Sequence, residues 1–66
     1  MKVSLKAMRV NSGLTQKEAA EKIGIRRETL MSWEGGRTYP SAQKLRELCG
    51  VYRCGMEDIF FPSKLT

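Results

Sequence analysis

The chain has 66 residues, a formal net charge of +5 and no histidine. One small domain fits, but at this size only about 60% of the unfolded surface is buried, which leaves no room for a large catalytic cleft and demands dense packing, cross-links, metal or a second subunit. Without histidine, Ser–His and Cys–His catalysis, the usual zinc sites and a switch near neutral pH are excluded, so the reading is not an enzyme, with no metal and no cofactor.

Met1 to Lys6 carries a charge every few residues and holds no apolar run of signal-peptide or membrane-spanning length, so a cytoplasmic protein with no membrane partner is expected. Cys49 and Cys54 lie too close together to staple the chain and are read as reduced core residues rather than redox sensors. The basic excess is uneven. Residues 1–37 hold eight Lys and Arg against Glu18, Glu21, Glu28 and Glu34, a surplus of +4, whereas the rest carries +1. A surface for a polyanion therefore belongs to the first half.

Glycines and prolines cut the chain into segments of ten or so residues, none with the sustained alternation of a half-buried strand, so the expected fold is all-α. The first helix begins near Ser4, sets Leu5 and Met8 on one face and stops at Asn11-Ser12-Gly13. Thr15-Gln16-Lys17-Glu18 is a capping box that opens a second helix, with Ala19, Ala20 and Ile23 inward, and Gly24 ends it. Only Gly24-Ile25 separates this from a third helix, about Arg27 to Glu34, ended by Gly35-Gly36. Its inner side carries Thr29, Leu30 and Trp33, and its outer side Arg27, Glu28, Met31 and Ser32. Ser41 caps a fourth helix with Leu45, Leu48, Cys49 and Tyr52 inward, weakened at Gly50 by about 1 kcal/mol relative to alanine. Gly55 opens a fifth, short helix from Met56 to about Phe60, and ordered structure is expected to end at or near Pro62.

Two short helices joined at a glycine, with alanines where they cross, form a helix-turn-helix unit. The stretch from Gln16 to Gly35 resembles the helix-turn-helix of the phage repressor and Cro (XRE) family. It has that family's leading glutamine, alanine pair, turn glycine between Ile23 and Ile25, buried Leu30 and Trp33, and a Trp-Glu-Gly-Gly ending. Leu5, Met8-Arg9, Gly13-Leu14-Thr15, Pro40-Ser41, Leu45, Leu48, Cys54, Met56 and Ile59 also sit at the family's spacings. The resemblance implies a compact five-helix bundle of the lambda-repressor-like kind. It fills residues 1–66 as one domain, with the motif at about 16–35 and the third helix in the DNA major groove.

The resemblance also implies roles. Arg27 aligns with the family's principal base-reading residue, and its planar fork suits guanine O6 and N7. Glu28 either accepts from a cytosine amino group or fixes the arginine. Ser32 reaches a base or a phosphate, and Met31 meets a thymine methyl or is ordinary exposed surface. Gln16, at the head of the second helix, holds a phosphate, and Lys17, Arg26, Arg37, Thr38 and Tyr39 add backbone contacts. Arg9 and Glu34 match a structural salt bridge. One departure stands out: the family has a small polar cap where this chain has Arg26. Arg26-Arg27 at a helix N-terminus opposes the macrodipole, which makes sense where phosphates or guanine edges meet the cations; the alternative is that Glu28 simply offsets them.

The expected function is a sequence-specific transcriptional regulator, a repressor of phage or prophage type, bound to a double-stranded DNA operator. A homodimer is expected, forming in solution or only on DNA, with no small-molecule ligand. The competing reading is a protein-interaction module, such as an antitoxin or antirepressor partner, with exposed Phe60 or Phe61 as its contact.

Overall fold

Helices arise where an accepting side chain precedes an apolar stripe, and that chemistry sets most boundaries in the computed structural model, which describes residues 3–60. Strand β1 (Val3–Ser4) leads directly into α1 (Leu5–Asn11), followed by α2 (Gln16–Ile23), α3 (Arg27–Gly35) and α4 (Ala42–Tyr52). A 3₁₀ turn (Met56–Asp58) and strand β2 (Ile59–Phe60) complete the described chain.

Ser4 and Ser41 cap α1 and α4 by accepting from the amides of Ala7 and Lys44, at 3.1 and 3.2 Å. At α2 the capping box is complete. Thr15 Oγ1 accepts from the Glu18 amide at 3.1 Å, and Glu18 Oε1 accepts from the Thr15 amide at 2.9 Å. Gly24 ends α2 in the left-handed conformation (φ 72°), as Gly36 ends α3 (φ 80°). The Lys44 ammonium, donating to the Ile23 carbonyl at 3.1 Å, satisfies a further acceptor at the end of α2 and ties α4 to it.

The core lies where the four helices meet. Ala19 and Ala20 are buried and let α3 approach α2 closely, so that Leu30 and Trp33 seat against them. Leu5, Leu30 and Leu48 are the largest fully enclosed side chains; removing each from water contributes about 1.5–3 kcal/mol. Thr29, expected inward, is half-buried at the edge of this core. Gly50 does not interrupt α4, being exposed with open space beside its α-carbon.

The fifth helix expected from Met56 to about Phe60 is corrected by the structure. Asp58 turns back so that its carboxylate accepts from the Gly55 amide at 3.0 Å, closing a single 3₁₀ turn. The next two residues extend and pair in parallel with the other end of the chain, Val3 with Ile59 and Ser4 with Phe60. Ile59 is buried in the core and anchors that pairing. The described chain is thus four α-helices, one 3₁₀ turn and a two-residue parallel pair. Among the described residues, no helix is long and apolar enough to cross a membrane. The expectations placed on Phe61 and Pro62 lie outside the described residues.

Candidate nucleic-acid interface

The site begins with how α3 is fixed in space. Glu34, near its C-terminal end, accepts from Arg9 Nε at 2.7 Å, from Arg9 Nη2 at 3.3 Å and from Gln16 Nε2 at 3.0 Å. Arg9 Nη1 donates in addition to the Leu14 carbonyl at 2.9 Å. The Glu34 carboxylate therefore joins α1, the first residue of α2 and the last turn of α3, while the Arg9 guanidinium ties in the loop after α1. Side-chain exposure is only 10% for Arg9 and 5% for Glu34, so the pair works in a poorly screened setting where charge-assisted hydrogen bonds are strong. Its hydrogen bond to Glu34 raises the arginine's pKa against the opposing effect of burial.

Gln16, from which the resemblance expects a phosphate contact, donates one hydrogen of its amide nitrogen to Glu34, and an amide NH2 has a second to give. The helix it heads still presents first-turn backbone amides. Lys17, beside it, is exposed.

At the other end of α3, Arg26 stands at the N-cap without any side-chain cap hydrogen bond, and Arg26, Arg27 and Glu28 are all exposed. A surface helix gains nothing from that arrangement, because cations there oppose its dipole. Along the outer face, Glu28, Met31, Ser32 and Gly35 follow one another at helical spacing and, with Arg37, line a shallow depression of about 320 Å³. Met31 is 43% exposed. Ser32 is half-buried.

Arg37 joins this group through the chain reversal after α3. Its amide donates to the Ser32 carbonyl at 3.0 Å across left-handed Gly36, which folds the loop back along the helix. Arg37, Thr38 and Tyr39 are exposed. The resemblance implied a flanking backbone contact for Arg37; the structure puts it on the rim of the same depression as Glu28 and Met31. The Gly-Gly pair was the available signal for that reversal. Among the described residues, no group of acidic or cysteine side chains could hold a metal ion.

Comparison with known proteins agrees with this geometry. A helix-turn-helix family model matches residues 5–59. An HTH-type transcriptional regulator of Archaeoglobus fulgidus is 35% identical over 60 residues, covering 91% of this chain and 86% of the relative. The regulator YgzD of Bacillus subtilis is 31% identical over 61 residues, 92% of each chain. A third such regulator, from Methanothermobacter thermautotrophicus, is 38% identical over 63 residues, covering 91% of this chain and 88% of its own. No solved structure shows a significant match. With a family model spanning the four helices and the turn beyond them, and the α2–turn–α3 unit formed as described, the chain belongs to the Cro/C1-type (XRE) helix-turn-helix family of DNA-binding proteins, not to the enzymes.

Proposed function

We propose that the protein is a sequence-specific double-stranded DNA-binding transcriptional regulator, a repressor of phage or prophage type that acts in the cytoplasm by occupying an operator. In this reading α3 lies in the major groove and α2 crosses the phosphate backbone. The observation that carries it is the start of α3: two exposed arginines at an N-terminus that lacks a side-chain cap, followed on the same face by Glu28, Met31 and Ser32.

Arg27 reads a guanine through O6 and N7. Glu28 accepts from a neighbouring cytosine amino group, Met31 meets a thymine methyl and Ser32 completes the contact. Arg26, Lys17, Thr38, Tyr39 and the amides at the head of α2 hold phosphates and set register, and Arg37 reaches either the backbone or a base edge from the rim. So few contacts specify only a few base pairs. Two copies on half-sites about one helical turn apart, roughly 34 Å, supply the remaining affinity, so the binding unit is a homodimer on a near-palindromic site.

Selection from a random duplex library at fixed, near-physiological salt, with wild type and Arg27→Ala in parallel, tests the reading. Wild type is expected to enrich a palindrome and the variant to lose its guanine preference at a cost of about 1–3 kcal/mol, whereas Lys17→Ala weakens all sequences alike. Weak, salt-sensitive binding with nothing enriched would refute operator recognition and favour a protein partner.

A further inference from the structure

At the end of α4, Arg53 takes the left-handed conformation (φ 59°, ψ 50°), and the Cys54 amide donates to the Cys49 carbonyl at 3.0 Å. This closure sets the side chain three positions before the helix end against the one just beyond it, a contact usually made by two apolar residues. Here both residues are cysteines, and both are free thiols. Standard bond lengths on either side of that 3.0 Å hydrogen bond span about 7.2 Å laid end to end, the bend at the carbonyl carbon alone brings this to about 6.9 Å, and the bends at the oxygen and the nitrogen shorten it further. Disulfides bridge α-carbons roughly 4.4–6.8 Å apart. The Cys54 side chain is also among the neighbours that raise the pKa of the Cys49 thiol.

We propose that Cys49 and Cys54 form a dithiol that a low-molecular-weight disulfide oxidises to an intramolecular disulfide, closing the C-terminal end of α4. Burial divides the labour between them. Cys54 is half-buried and takes the incoming oxidant, whereas Cys49 is 7% exposed and resolves the intermediate. Burial, followed by the neighbouring Cys54, pushes the Cys49 thiol up to about 11, which keeps it protonated and inert until a mixed disulfide forms beside it.

The Cys54 thiolate attacks one sulfur of the oxidant, forming a mixed disulfide and expelling one thiolate, which takes up the proton that Cys54 lost. Cys49 then gives its proton to solvent and attacks the Cys54 sulfur; the second thiolate leaves and is protonated in turn. Two electrons and two protons have passed from the pair to the oxidant, which ends as two thiols. The bond pins the left-handed cap at Arg53, and so the path from α4 into the turn and β2.

The test uses the full chain and hydroxyethyl disulfide, a neutral probe that the nearby Glu57 and Asp58 do not repel. Trypsin cleaves after Arg46, Arg53 and Lys64 and so separates the two cysteines. Expected are loss of both alkylatable thiols, an intact mass lower by two hydrogens, and peptides 47–53 and 54–64 joined until dithiothreitol releases them. In Cys49→Ser the mixed disulfide should persist on Cys54. In Cys54→Ser the folded chain should resist the probe. A wild-type adduct that stays on Cys54 while Cys49 remains alkylatable, linkage only between chains, or no reaction would overturn the proposal. Equal reactivity of the two single variants would overturn the assigned order.

Discussion

Replacing Arg9 with methionine removes the cation but keeps an unbranched side chain, leaving Glu34, whose side chain is 5% exposed, with Gln16 as its remaining side-chain donor. Breaking a buried pair from one side costs about 3–5 kcal/mol, because the surviving charge cannot recover its hydration. A chain of 66 residues has a total stability of roughly 3–10 kcal/mol, so the variant should lose about a third of it or more. At some 4–8 °C per kcal/mol, the thermal midpoint should fall by about 12–40 °C. Helical circular dichroism during heating and urea titration measures this directly, and the double variant Arg9→Met/Glu34→Leu should recover most of the loss, since no buried charge is then left unpaired. A loss under about 1 kcal/mol, the value of a solvent-exposed pair, would refute the account of a clamp in a poorly screened site.

Other perturbations have calculable signs. Thr15→Ala removes an acceptor of the α2 capping box and should cost about 1 kcal/mol in the same titration. Tyr52→Phe deletes a buried hydroxyl that has no hydrogen-bond partner among the described residues; stability near neutral pH should therefore change by less than about 0.5 kcal/mol or rise slightly. The same phenol is pushed from 10.0 up to about 12, by burial first and then by Glu34. The native state thus holds this proton more tightly than the unfolded chain. Wild type should keep the corresponding stability below pH 10 and lose it progressively towards pH 12, a loss that alkaline titration should show to be smaller in Tyr52→Phe. Arg53→Gly relieves the only positive φ found at a described non-glycine residue; urea unfolding should show a gain of about 0.5–1 kcal/mol after the extra entropy of glycine in the unfolded chain is offset.

What could be read before the structure was known is what depends on neighbours three or four residues apart. Thr15 with Glu18, Ser41 before α4, and the glycines after α2 and α3 announce their conformations locally, and the crossing of α2 and α3 follows from Ala19, Ala20, Leu30 and Trp33. The exposed outer face of α3 follows from the same periodicity. The last element was missed because its conformation depends on residues at the far end of the chain. Met56 to Phe60 carries apolar residues at spacings that suit a helical turn, but Ile59 and Phe60 extend because Val3 and Ser4 offer them a ladder. The direction of the Gln16 amide was hidden for a related reason, since it is decided by Glu34, eighteen residues later. Arg37 reaches the depression through a reversal that the glycines permit without specifying where it leads.

The short parallel pair also bears on the order in which the chain assembles. The α2–α3 corner uses contacts between near neighbours, which form at little entropic cost, whereas the ladder from Val3 to Ile59 closes a loop of nearly the whole described chain. It forms late in folding and opens early. Amide hydrogens in the two strands should exchange at matching rates, faster than those of Leu30 or Leu48, so the first excursion from the native state frees both ends of the described chain at once and leaves α3 seated.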